Sequence, residues 1–242
     1  MRPLQPRELL GLWEHGRFQH PVERALTLVE SARPESSRQS LAELTLGARD
    51  YELLNLRKAT FGDWLRGEGD CPECESRVEF EIEVNDLLVG MEPATPGKTE
   101  FEMGSYRVVF RALNSLDLLA ISALQDVEEA RLELVNRCVM AAFVEGEALR
   151  DELPSEVLQA LARRVEFCDP LSDIVLHLEC PDCEAGWNED FDIASFLWAE
   201  VVASAEDILF DVDLLARAYG WPEGEVLGLS PARRAWYVEA VS

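Results

Sequence analysis

Two short cysteine hooks constrain this chain more than any other feature: Cys71-Pro72-Glu73-Cys74 and, just over a hundred residues later, Cys180-Pro181-Asp182-Cys183. They hold four of the six cysteines. A C-x-x-C hook points two thiolates at one tetrahedral ion, and two hooks complete the four ligands of a closed structural zinc site. Proline and an acidic residue occupy the same places in both. The likeness continues downstream, where Val78, Ile82, Val84, Leu87 and Leu88 fall in register with Trp187, Phe191, Ile193, Phe196 and Leu197. The chain therefore contains a weak internal repeat, and both copies are expected to do the same job.

Each copy reads as a knuckle joined to extended chain. The run Val78-Glu79-Phe80-Glu81-Ile82-Glu83-Val84 alternates apolar and acidic residues, the period-two pattern of a strand with one wet face. Ile174-Val175-Leu176-His177-Leu178 reads as a strand entering the second hook. Gly67-Glu68-Gly69-Asp70 reads as a turn that delivers the chain to the first. The two knuckles are expected to meet across a small sheet and to share one zinc, although compact zinc ribbons keep their hooks much closer in sequence. If one ion joins both, replacing Cys74 or Cys183 by Ser should destabilise the fold equally. A redox role is the competing reading, because a C-x-x-C at a helix N-terminus can have a depressed thiol pKa. Against it, the first hook leads into a strand, and two matched hooks suit a four-coordinate ion better than one active dithiol.

The flanking segments read mainly as helix. Pro6 and Pro21 suit first helical turns, where their missing N–H is not needed. Ser40 introduces an apolar face that runs through Tyr51, Leu53, Leu54, Leu56 and Phe61 to Gly62. Residues 91–98 form a proline- and glycine-rich loop, and Tyr106-Arg107-Val108-Val109-Phe110 a further strand. A helical block begins at Ser115, with Leu116, Leu119, Leu124, Val127, Leu132, Val135 and Val139 as its apolar side, and Ser155 caps a shorter helix. After the second hook, Asp192 is an N-cap and Gly220 a terminator for the longest helical pattern. Pro222 and Ser230-Pro231 restart two short helices.

These readings give an α+β, mainly helical chain, with helical N- and C-terminal parts around a small zinc-ribbon-like β unit built from two CPxC knuckles. The organisation is a helical region over 1–66, the first knuckle with its strands over 67–112, a helical insertion over 113–170, and the second knuckle with a long helix and tail over 171–242. Tyr219, Trp221, Trp236 and Tyr237 place bulky rings at both ends of that tail, either as core or as a partner-binding patch.

Charge narrows the function classes. Forty-seven acidic residues against 22 basic give a formal net charge of −25, which repels phosphate backbones and opposes nucleic-acid binding. It is either a solvated surface or an attraction for a basic protein partner. No apolar run reaches the ~20 residues that span a bilayer, and the N-terminus lacks the apolar core of a secretory signal. A cytoplasmic protein is expected, in which paired hooks bind metal rather than form disulfides. Cys138 and Cys168 read as small core hydrophobes. His15, His20 and His177 show no metal-ligand spacing, and there is no phosphate loop or nucleophile elbow, so neither an enzyme nor a small-molecule substrate is expected.

Several stretches together resemble the T-even-type phage baseplate hub assembly proteins. They are His20-Pro21-Val22-Glu23-Arg24-Ala25-Leu26, Gly47-Ala48-Arg49-Asp50 with Leu53-Leu54-Asn55-Leu56-Arg57, both hooks, Phe191-Asp192-Ile193 with Phe196-Leu197-Trp198, Ala218-Tyr219-Gly220-Trp221, and Leu229-Ser230-Pro231-Ala232-Arg233-Arg234. The resemblance implies a non-enzymatic assembly factor or chaperone for the baseplate or hub of a contractile tail or injection system, with baseplate, hub or tail proteins as partners. A structural component retained in the particle and a zinc-ribbon regulatory or binding protein are the alternatives.

Overall fold

Helix signals that are local in sequence produce the helices expected of them. In the computed structural model, which describes residues 1–89 and 97–241, α1 (Pro6–Gly16) and α2 (Pro21–Ala32) both start on proline, and the His20 ring accepts the Val22 N–H at 3.4 Å. Ser37 caps α3 (Arg38–Ala42) and Thr45 caps α4 (Leu46–Phe61). The chain thus breaks between Ala42 and Leu46, where the sequence reads one face starting at Ser40. Helix α9 (Ile193–Tyr219) is capped by Asp192, which accepts the Ala194 N–H at 2.9 Å, and closed by Gly220 at φ +70°. Two short helices follow, α10 (Glu223–Val226) and α11 (Pro231–Glu239).

The main core is the bundle of α1, α2, α4 and α9. Leu26, Leu28, Val29, Leu53, Leu54, Leu56, Leu197, Val201 and Ala205 are almost wholly buried in it. Arg57 is buried between α4 and α9, where its guanidinium forks onto Glu200 at 3.0 and 2.7 Å and donates to the Gly62 carbonyl at 2.8 Å. Trp198 packs so closely on α1 that a side-chain carbon at Gly16 would lie 2.5 Å from its ring. Arg24 stacks on the same ring at 4.5 Å.

Between the hooks, the chain builds a second core. Strand β1 (Trp64–Asp70) pairs antiparallel with β2 (Arg77–Glu83), and β2 runs into the short helix α5 (Val84–Leu88). Beyond it, β3 (Thr99–Met103), β4 (Tyr106–Phe110), β5 (Val139–Val144) and β6 (Glu147–Ala148) form an antiparallel sheet in that order. Helices α6 (Ser115–Ile121), α7 (Val127–Cys138) and α8 (Ser155–Phe167) accompany it. Val108, Phe110, Val135, Cys138, Leu161 and Val165 form its interior. The stretch 113–170 is therefore not helical throughout, because the apolar run after α7 continues into β5 and completes a sheet with β4. Ser155 is the first helical residue of α8 rather than its cap, and Pro154 precedes it. Residues 91–96 of the expected loop lie outside the described residues.

Buried polar bonds fasten the two cores together. The Leu46 N–H donates to the Leu113 carbonyl, and the Gly47 N–H donates to Asp169 Oδ2 at 2.7 Å. A side chain at Gly47 would collide with that carboxylate. Within the second unit, the wholly buried carboxylate of Asp117 accepts from Arg111 at 2.6 and 2.9 Å, from Arg137 at 3.0 Å and from the Asn114 N–H at 3.1 Å. Burial alone would raise its pKa, but these donors, Arg111 foremost, hold it below the ordinary carboxylate value. Asp117→Ala leaves two arginines without their partner and should cost about 3 kcal/mol in denaturant unfolding at neutral pH. Because the folded-state value is depressed, this contribution is present above about pH 4, the unfolded value, and is lost as pH falls further.

Candidate metal centre

The second hook is held by a hairpin of the same form as the first. Strand β7 (Ile174–Glu179) enters it and β8 (Gly186–Phe191) leaves it, pairing antiparallel. In each copy the entering strand is followed by the knuckle, the leaving strand and a helix, so β1, β2 and α5 correspond to β7, β8 and α9. The repeat also includes the strand before the hook, in the place where Gly67-Glu68-Gly69-Asp70 reads as a turn. Both glycines belong to β1, and at Gly67 the reason is packing. Phe80 lies across Gly67 so closely that an added carbon would meet its ring at 2.5 Å, and Gly69 faces Leu178 and Trp187 of the other hairpin.

The knuckles superimpose bond for bond. The Glu75 N–H donates to the Cys71 carbonyl and the Cys71 N–H to the Ser76 carbonyl; the Glu184 N–H donates to Cys180 and the Cys180 N–H to Ala185, all at 2.9 Å. Glu75 and Glu184 both adopt φ +61°, the left-handed turn that lets each hook double back. The two hairpins stay separate sheets and do not pair into one ribbon. They meet side by side at the hooks, over a small cluster of Cys71, Val78 and Cys180 covered by Ala185 and Trp187.

All four sulphurs lie within 4.8 Å of one another. Across the hooks, Cys71 and Cys183 are 3.7 Å apart and Cys74 and Cys180 3.6 Å. A tetrahedral zinc with Zn–S bonds of ~2.3 Å needs sulphurs ~3.8 Å apart, so the thiols stand near the spacing the ion would impose. They are free thiols, far from the ~2.05 Å of a disulfide. Neither hook opens a helix, the position that activates a redox dithiol. One cysteine of each hook, Cys71 and Cys180, is buried, while Cys74 and Cys183 are exposed at the rim.

The thiols titrate unequally. Ser76, through its hydroxyl and then its backbone, draws Cys74 down to about 6. At Cys183 the Ala185 backbone pulls down, but hydrogen bonding with Cys74 and the other thiols pushes the group up to about 12. A depressed thiol beside a raised one is the pattern expected of close sulphurs without a cation to neutralise them. Away from the centre, burial pushes Cys138 up to about 12, and Cys168 donates to the Val165 carbonyl, so both are packed in the fold. His177 points outward on β7.

Tyr219, Trp221, Trp236 and Tyr237 come together at the other end of α9. Tyr219 stacks on Trp221 at 4.8 Å, and Tyr237 meets Tyr219, Trp221 and Trp236 edge-on at 5.8, 4.9 and 5.1 Å. No residue of α11 is fully buried, so this cluster is not sealed into the core. Phe210 is exposed on the same helix and has no counterpart in the sequence reading, because it falls off the apolar face of α9.

A family model described as "T4 bacteriophage base plate protein" matches residues 26–198. That span includes both hooks and the sheet between them, and stops early in α9. No curated protein and no solved structure gives a match.

Metal-free protein at pH 7 should be alkylated by iodoacetamide at Cys74 first, because only that exposed thiol is mostly ionised there. The rate should fall as pH drops through about 6. Peptide mass spectrometry reads the order, and prior addition of zinc should protect all four hook cysteines.

Proposed function

This chain belongs to the T4 bacteriophage base plate protein family, and from that membership we propose that it is a non-enzymatic assembly factor, or chaperone, for the base plate or hub of a phage-like contractile tail or injection system. Cys71, Cys74, Cys180 and Cys183 hold a structural zinc, which fixes the two hairpins relative to each other. The convergence of four thiols from two repeats within 4.8 Å carries the metal reading. A closed set of four thiolates leaves no coordination position for water or substrate, which supports a structural ion over a catalytic one. Base plate, hub or tail proteins are the partners, and Tyr219, Trp221, Trp236 and Tyr237 form a surface that receives one of them. The acidic surface, with 47 Asp and Glu against 22 Lys and Arg, favours protein partners over nucleic acid.

Zinc stabilises the folded chain through linkage, because the unfolded chain does not hold four thiolates at one point. Both halves of the hook pair remain rooted in the main core through Leu65 and Leu178, so chelation should loosen the hairpins and lower the melting temperature without dispersing the bundle. At free zinc a thousandfold above Kd the stabilisation is about 4 kcal/mol, or roughly 10 °C for a chain of this size. Cys74→Ser and Cys183→Ser occupy equivalent places and should cost the same, as scanning calorimetry with and without chelator would read.

Metal analysis of the purified protein, co-expressed with the tail genes beside its own, tests the whole reading. About one zinc per chain and a bound base plate or tail subunit are expected. A chain that binds none of those subunits is not an assembly factor for them. The family's description as a base plate protein also favours retention in the particle; finding the chain in purified tails would establish that role over a transient one.

A further inference from the structure

The region beyond residue 198 lies outside the family match and carries the most exposed aromatic surface of the long helix. Phe210 is 65% exposed, Trp236 64% and Tyr219 41%. Phe210, nine residues before Tyr219, lies half a turn round α9 from it and is no part of this surface. Glu223 and Glu225 follow Trp221, and Glu239 lies one turn from Trp236. From 217 to 239 there are three acidic residues and three arginines. Two of those arginines are engaged within the fold, Arg217 with Asp213 at 3.0 Å and Arg234 with Asp211 at 2.9 Å. Glu223, Glu225 and Glu239, all exposed, outnumber the remaining Arg233 beside the rings.

Building on the assembly reading above, we propose that the α9–α11 face docks a lysine- or arginine-rich amphipathic segment of a protein partner. Apolar residues of that segment would cover the ring cluster of Tyr219, Trp221, Trp236 and Tyr237. Its cations would pair with the carboxylates, or lie over the face of Trp236. Charge decides between occupants. A second copy would bring one −25 chain against another, and anionic lipid or nucleic acid would meet the same repulsion. The aromatic anchors supply a desolvated centre that charge alone lacks.

The test titrates the zinc-loaded protein with a synthetic amphipathic peptide of leucine and lysine at helical spacing, and with its leucine–glutamate counterpart. The lysine peptide should bind and the glutamate peptide should not. Trp236→Ala should weaken binding about tenfold or more, with an unchanged circular dichroism spectrum because the side chain is exposed. Glu223→Lys with Glu225→Lys, both exposed beside Trp221, should weaken it and flatten its salt dependence. Equal affinity for wild type and Trp236→Ala would overturn the proposal, leaving only diffuse attraction. So would concentration-dependent dimerisation or binding to phosphatidylserine vesicles that Trp236→Ala abolishes. If Trp236→Ala still co-purifies with a base plate subunit as wild type does, the docking face is refuted while the assembly role stands. If the wild type captures no subunit yet the peptide results hold, the assembly role alone falls.

Discussion

Four thiolates can neutralise one ion only if they arrive at one point, and the remainder of this fold can be understood as the means of bringing them there. The hooks are far apart in sequence, so no local turn can place them. Each instead sits at the tip of a hairpin whose base is anchored in the helical bundle: Leu65 on one side, Ile174, Leu176 and Leu178 on the other. Gly69 packs against Leu178 and Trp187 of the other hairpin, beside the hooks where Cys71 meets Cys183 and Cys74 meets Cys180. The bundle has an apolar interior of its own, so an ion at the hooks would refine an arrangement that the core already approximates. This differs from small zinc modules, in which metal binding is the whole of the folding free energy.

The sheet unit between the repeats is tied to the bundle by bonds of a different kind. Gly47 to Asp169 and Leu46 to Leu113 are polar and buried, so their geometry is directional where the two apolar cores are not. An arrangement of this sort holds the second unit in a defined orientation behind the hooks. It also explains why a chain with hooks so widely separated does not form a compact ribbon: a folded unit with its own interior occupies the space between them in sequence.

Local signals were readable and tertiary ones were not. Pro6, Pro21, Asp192, Gly220 and Ser230 mark helix ends through their own backbone chemistry, and the hooks announce the four-cysteine cluster by spacing. Strand β1 was hidden because Gly67 and Gly69 have the composition of a turn, and only Phe80 gives the reason for Gly67. Strand β5 was hidden because Val139-Met140-Ala141-Ala142-Phe143-Val144 continues the apolar pattern of α7, and a short apolar run does not reveal its period. The pair Glu145-Gly146, at φ +51° and +87°, makes the tight turn into β6 and was the available clue. Phe210 could not be found as a surface residue without knowing which side of α9 the bundle covers.

The central claim is that one metal ion is held by thiolates from both repeats. X-ray absorption at the zinc edge of the purified protein tests it most directly. Four sulphur scatterers per metal at about 2.3 Å are the predicted first shell. A shell of nitrogen and oxygen, or only two sulphurs per metal, would contradict the claim and leave the hooks as separate sites.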